Sequence, residues 1–360
     1  MKNKLAGAIQ QGLSDLSPAY FSLVMATGIV SIASHLLQIE VIAQVLFQFN
    51  KAAYIILWIL ILARLIFFTR RLASDLTDHA RGSGFFTMIA GTCVLGTQFV
   101  ILSKDQQTAL ILWGIGFTLW HVLIYTFFAS AALKTAKPGL ETGINGAWLI
   151  AIVATQSVSI LGTLLASGLG AWTETLLFYT LTMYLLGGML YILIITLILY
   201  RLLFFSLEPK QLAPTFWISM GAVAITTLAG DTLILNANQW TFLQDLLPFL
   251  KGFNIFFWAI ATWWIPLLVI FGAWRHLYKR YPLSYDPQYW GMVFPLGMYT
   301  TCTFQLAKAL ELPFIYAIPQ YFVYIALAAW LAAFGGLINR LVNILILAPL
   351  RRSNLPEDIK

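Results

Sequence analysis

Apolar residues run along this chain in long unbroken stretches separated by short polar connections. A helix needs about 20 apolar residues to cross a bilayer, and the pattern predicts ten of them: 18–37, 52–68, 84–103, 109–132, 146–167, 175–203, 215–236, 252–274, 290–309 and 316–348. The connections carry helix breakers: Arg70-Arg71 through Gly84, Lys137-Pro138-Gly139, Pro209 to Pro214, Pro282 to Pro287, and Glu311-Leu312-Pro313. A membrane β-barrel would show alternating segments of about ten residues instead. The first stretch is longer than the apolar core of a signal peptide, about 7–15 residues, and no small-residue cleavage signature follows it; it reads as a retained helix. The chain therefore divides into a cytoplasmic segment 1–17, a ten-helix transmembrane domain 18–348 and a cytoplasmic tail 349–360.

Composition narrows the class. The 360 residues are 60% hydrophobic and 10% charged, with a mean hydropathy of +0.82. Soluble domains are about 25% charged, and disorder needs polarity and net charge. The net charge of +7 would suit a nucleic-acid partner, but the cations sort by position. The termini and even-numbered connections hold seventeen Lys and Arg, while the odd-numbered ones hold four, Lys51, Lys104, Lys251 and Lys308. Cytoplasmic connections are the basic ones, so the sorting predicts both termini inside a cell inner (plasma) membrane and accounts for the charge without nucleic acid.

The predicted spans alternate in kind. Gly, Ala, Ser and Thr make up 44 of about 104 residues in the odd helices and 33 of about 126 in the even ones. Small residues let helices approach closely, which explains any single one. Across five helices the alternation predicts more: five helical hairpins, with the odd helices as a parallel inner ring around a central pore and the even ones facing lipid. Thr27, Gly28, Thr92, Gly96, Thr155, Gln156, Gly221, Thr226 and Thr301 are the expected lining. Such a wall is neutral and hydroxylic. A fixed charge at mid-bilayer costs roughly 2.5–3.5 kcal/mol, so a neutral wall favours throughput. Hydroxyl donors, a basic inner mouth and parallel helix N-termini favour anions over cations.

Particular strings are more specific than composition. They are Pro18-Ala-Tyr-Phe-Ser-Leu-Val-Met-Ala-Thr-Gly28, Val153-Ala-Thr-Gln-Ser157, Trp217-Ile-Ser-Met-Gly-Ala-Val-Ala-Ile-Thr-Thr-Leu-Ala-Gly-Asp231, Phe257-Trp-Ala-Ile-Ala-Thr-Trp-Trp-Ile-Pro266 with Trp274-Arg-His276, and Trp290-Gly-Met-Val-Phe-Pro-Leu-Gly297. With these the chain resembles, over nearly its whole length, the tellurite-resistance/dicarboxylate transporter family, which includes yeast malate permeases and plant slow anion channels. The resemblance implies a ten-helix all-α membrane fold, one pore per subunit and a homotrimer. It also implies a pore occluded by a phenylalanine of helix 9, which falls on Phe294; a ring there would exclude water from the narrowest point, and motion of helix 9 about Pro295 and Gly297 is the expected way to relieve it. The family's inner helices are kinked at prolines or glycines. Here only helix 9 has an interior proline, Pro295, leaving other bends to Gly28, Gly91, Gly96, Gly162, Gly221 and Gly230.

Remaining polar residues carry two readings each. Intramembrane acids are functional candidates, and Asp231 should sit near the outer end of helix 7. His35, Lys104, Asp231 and Lys308 would then form an outer vestibule, where the lysines attract anions and Asp231 pairs with one of them or takes a coupling proton. His121, mid-span in helix 4, is a hydrogen-bonded structural histidine or a proton relay. Thr155 and Gln156 bond neighbouring helices or touch a passing anion. Arg64, Arg340 and Arg275-His276 snorkel to headgroups or line an inner vestibule. Cys93 and Cys302 both lie in apolar stretches, so no disulfide framework or metal cluster is expected, and no cofactor. No nucleotide loop, catalytic carboxylate pair or nucleophilic triad supports an enzyme. The expected function is a gated channel for small anions or C4-dicarboxylates. The alternative is a proton-coupled carrier of malate-like dicarboxylates or a tellurium-oxyanion efflux protein.

Overall fold

The computed structural model describes residues 10–343, so the termini expected to be cytoplasmic lie largely outside the described residues, as do 344–348 of the last predicted span. Ten long helices fill the described chain: α1 Ser22–Leu36, α2 Glu40–Phe67, α3 Phe86–Gln98, α4 Gln106–Leu133, α5 Ile150–Leu165, α6 Thr173–Phe204, α7 Ile218–Leu235, α8 Leu247–Ala273, α9 Trp290–Ala309 and α10 Ala317–Val342. No strand occurs among the described residues. Nine of these helices, taken with their flanking turns, are long and apolar enough to span a bilayer. The exception is α9, diluted by Thr300, Thr301, Thr303, Gln305 and Lys308. Sixteen of its twenty residues are buried, so protein rather than lipid surrounds it.

Two layers separate by burial. In the most apolar window of α1, α3, α5 and α7, 78–94% of residues are buried, against 22–50% in the even helices. The odd helices close a ring in which α1 packs on α3, α3 on α5, α5 on α7, α7 on α9, and α9 back on α1. Each even helix lies outside, against its own hairpin partner. Its outward face is bulky and apolar, as at Ile55, Ile59 and Ile66 of α2 or Trp263, Val269 and Ile270 of α8, the composition that a lipid-facing surface requires.

The inner helices begin alike. Each is entered through a short 3₁₀ turn, at Pro18–Phe21, Gly82–Phe85, Gly146–Leu149, Pro214–Trp217 and Pro287–Tyr289. Neighbouring turns touch one another, so all five inner helices start at one end and run parallel. Ser17, Asn145 and Asp286 cap three of these starts by accepting from the amides of Ala19, Ala147 and Gln288. Such side chains satisfy donors that a helix start leaves free.

Helix α2 starts twelve residues before the expected position. Glu40, Gln44 and Lys51 look like a connection in sequence, yet they continue the helix, and Gln44 Nε2 donates to Glu40 Oε1 at 2.8 Å across one turn. Polar residues one turn apart can support a helix beyond its apolar stretch.

Candidate functional site

The five-helix ring encloses two cavities. The inner one, about 510 Å³, is bounded by the starts of all five odd helices, including Ser22, Met25, Gly84, Thr87, Ile150, Thr215, Ile218 and Gly291. The outer one is far smaller, about 40 Å³, and again touches all five: Ile29, Ile32, Val94, Thr97, Ser157, Ile160, Ile225, Leu228, Met298 and Thr301 are among its walls.

The two sets of wall residues are in helical register. On four inner helices the last inner residue and the first outer one are seven apart: Thr87 and Val94, Ile150 and Ser157, Ile218 and Ile225, Gly291 and Met298. Residues three or four apart share a helix face. The skipped turn between the cavities therefore falls at Ala90 and Gly91, Val153 and Ala154, Gly221 and Ala222, and Phe294. On α9 the stripe reads Gly291, Phe294, Met298, Thr301, Gln305, with only Phe294 absent from both cavity walls. Phe294 is fully buried. Phe294 thus lies at the level between the two cavities, where the matching positions of α3, α5 and α7 are mostly Gly and Ala, with Gly91 and Gly221 turned to the seams with α1 and α9.

Glycines bring the inner helices together. A Cβ on Gly221 would lie 2.6 Å from Cγ of Pro295, and one on Gly28 2.6 Å from Cγ1 of Val94. Gly96 faces Leu161 of α5, and Gly297 faces Ile29 of α1. These residues sit at seams between helices, where the absence of a side chain lets backbones approach.

The threonines divide. Thr301 lines the outer cavity. Thr27, Thr92 and Thr155 instead meet the outer layer: Trp330 Nε1 donates to Thr27 Oγ1 at 2.9 Å, Tyr54 Oη pairs with Thr92 Oγ1 at 3.1 Å, and Trp120 Nε1 donates to Thr155 Oγ1 at 2.9 Å. Two further links complete a cycle, Tyr191 Oη to the Ser219 carbonyl at 3.2 Å and Trp258 Nε1 to Thr303 Oγ1 at 3.0 Å. Every outer helix is thereby tied to the inner helix of the following hairpin, with α10 tied to α1. Gln156 Nε2 donates to the Tyr184 carbonyl at 3.0 Å, and Thr226 Oγ1 donates to the Ala222 carbonyl. Sequence reasoning missed the aromatic donors; their signal was a Trp or Tyr recurring mid-span on even helices.

The outer-end candidates do not assemble. His35 Nδ1 pairs with Glu40 Oε2 at 2.7 Å. Lys104 and Lys308 are exposed, whereas Asp231 is fully enclosed and accepts from Asn254 Nδ2 of α8 at 2.6 Å. Its Oδ2 has no partner among the described residues. His121 Nδ1 meets the Phe117 carbonyl at 2.9 Å, with its ring 4.3 Å from that of Phe117.

The inner mouth carries an ion network that sequence reasoning did not assemble. Buried Arg64 donates to the carbonyls of Ser14 and Leu16 and pairs with Asp75 Oδ2 at 2.6 Å. Asp75 Oδ1 holds Arg81 at 2.9 Å. Arg81 lines the inner cavity with Asp15 and Asp286. Asp15 is paired with Arg71 at 3.3 Å, and Asp286 is engaged by the Gln288 amide at 2.8 Å. Asp15 is thus paired with a cation while Asp286 caps a helix start, and five positive helix ends point toward the same space.

Related proteins agree with a transport role. A sulfite efflux pump of Trichophyton rubrum is 23% identical over 343 residues, 90% of each chain. A Methanocaldococcus jannaschii protein described as an uncharacterized transporter is 27% identical over 315 residues, 84% of this chain and 87% of that one. An uncharacterized membrane protein of Mycobacterium tuberculosis is 36% identical over 152 residues, 42% of this chain and 77% of that one. The family model described as voltage-dependent anion channel, SLAC1, matches residues 15–338. An all-α membrane chain that matches this model over nearly its whole length belongs to the SLAC1 family, whose work is the passage of anions across a membrane.

Proposed function

We propose that a small anion moves along the axis of the five-helix ring and that Phe294 closes this path. The observation that carries the reading is the α9 stripe, in which Phe294 occupies the one turn between the walls of two cavities. An apolar ring at a narrow level raises a barrier by excluding water, and Pro295 and Gly297 give α9 its points of adjustment. The inner cavity collects anions through helix ends and Arg81. Beyond the ring, the walls are mainly Ile, Leu, Val and Met, with Thr97, Ser157, Thr232 and Thr301 as the hydroxyls. Each hydroxyl already donates to a backbone carbonyl in its own helix, so the hydroxyls offer no tight anion site, and Gln305 supplies the one side-chain amide of that wall.

An outer cavity of about 40 Å³ favours a small inorganic oxyanion over a C4-dicarboxylate. Sulfite is the first candidate, given the relatives named sulfite efflux pumps; a tellurium oxyanion is comparably compact. The basic end faces the cytoplasm of a plasma-membrane protein, and the chain works as a homotrimer with one path per subunit. The test is anion flux into proteoliposomes. Wild type passes sulfite slowly and Phe294→Ala passes it faster; equal flux in the two would remove Phe294 from the gate.

The second reading is a proton-coupled carrier. Enclosed Asp231, with one unpartnered carboxyl oxygen, is the group it would use. A reversal potential that follows the anion gradient alone supports the channel, and one that moves with an imposed pH gradient supports the carrier.

A further inference from the structure

A third cavity lies at the end of the molecule where the inner helices begin. It occupies about 180 Å³ between the start of α7, the end of α8 and the start of α9. Leu212, Phe216, Leu268, Phe271, Leu283 and Met292 give it apolar walls, while Arg275 and His276 are its basic members; no acid among the described residues lines it. Arg275 is anchored from two sides. One terminal nitrogen donates to the Leu212 carbonyl, and the guanidinium stands 4.5 Å from the centroid of the Tyr281 ring. Its Nε is buried and has no hydrogen-bond partner among the described residues. His276 Nδ1 is held by the Tyr281 carbonyl at 2.9 Å, and exposed Lys279 and Arg280 follow on the same connection.

We propose that this cavity binds an anionic phospholipid, with the phosphate at Arg275 and the first part of an acyl chain against Phe216, Phe271 and Met292. A buried guanidinium nitrogen without an acceptor calls for an anion. The greater part of the wall, Leu212, Phe216, Leu268, Phe271, Leu283 and Met292, presents only apolar side chains and calls for hydrocarbon, with the Trp217 indole and the Tyr289 ring beside them. A free phosphate would satisfy only the first, and a neutral lipid only the second. Basic pockets between helices at the cytoplasmic side are a recurrent means of holding anionic headgroups. Ala213 and Phe216 also belong to the wall of the inner cavity, so the lipid shares a partition with the anion path.

The proposal concerns binding and is tested without transport. The full-length protein, delipidated in detergent, is titrated with phosphatidylglycerol or phosphatidylcholine and its bound lipids are counted by native mass spectrometry. Phosphatidylglycerol is expected to be retained and phosphatidylcholine lost. Arg275→Gln should weaken retention about fivefold, the factor corresponding to ~1 kcal/mol for one cation near a lipid headgroup. Met292→Trp, which fills the apolar part and keeps every charge, should weaken it as well, and it carries the test should Arg275→Gln not fold. Lys137→Gln, in a distant connection, should leave retention unchanged. Equal retention of the two lipids, or phosphatidylglycerol binding unaffected by Met292→Trp, overturns the proposal. Displacement of the lipid by inorganic phosphate alone also overturns it, by assigning the site to a free anion.

Discussion

The ring of Pro295 occupies the space that a side chain on Gly221 would need, with only 2.6 Å between Cγ of the proline and an added Cβ. This contact joins α7 to α9 beside Phe294, so on the proposed gate a side chain at position 221 would displace that ring. Gly221→Val should cost about 1–3 kcal/mol, the usual penalty for overpacking, read as a lower unfolding temperature in detergent. It should also change flux more than an equally destabilising substitution in α8.

Phe294→Ala should raise anion flux by about tenfold or more, the factor that ~1.4 kcal/mol off a barrier produces. The gain should appear in single-liposome efflux rates without a change in anion preference, because the outer walls are untouched. Phe294→Leu, which keeps an apolar plug of smaller size, should fall between the two.

The bond from Trp330 to Thr27 should be worth about 0.6 kcal/mol, the average for interhelical hydrogen bonds in a membrane protein. Trp330→Phe, Thr27→Val and the double variant form the cycle that measures it. Additive losses would mean that the bond contributes nothing and that each substitution acts through packing.

Breaking the Arg64–Asp75 pair should be far more costly. Removing one partner of a buried ion pair typically costs 3–5 kcal/mol, and Asp75→Ala would also free Arg81 at the inner mouth. Unfolding in detergent should show the loss, and protease should reach residues 10–16 sooner, since Arg64 and Arg71 hold that segment.

Asp231→Asn keeps the size of the side chain and an oxygen for Asn254 to bond. It is expected to fold, to retain flux and to leave the pH profile of uptake where it was. A displaced profile would transfer the weight to the proton-coupled reading.

The alternation of slim and bulky spans makes the two layers legible in the sequence, because small residues matter wherever backbones must approach. The orientation of those residues is not legible in the same way. Thr27, Thr92 and Thr155 are the hydroxyls a neutral path would display, yet each is met by an indole or phenol of the outer layer. A helix of small residues has no single apolar stripe to reveal which side faces the centre, and register becomes visible only when five helices are compared. Asp231 is a similar case. Its depth along α7 can be counted, but Asn254 lies twenty-three residues away on α8, and no spacing rule joins them. Arg64 and Asp75 sit on opposite sides of the break at Phe68, so their pairing depends on a turn that the apolar pattern does not describe.

Because α10 is bound to α1 in the same manner as every other hairpin to its successor, the architecture contains no privileged beginning. Helix α1 begins and α10 ends at the same end of the molecule, so a linker could join them while a new opening is cut between any later pair of hairpins. A circularly permuted chain made this way should recover the original arrangement, since order along the backbone is supplied a second time by the lateral ties.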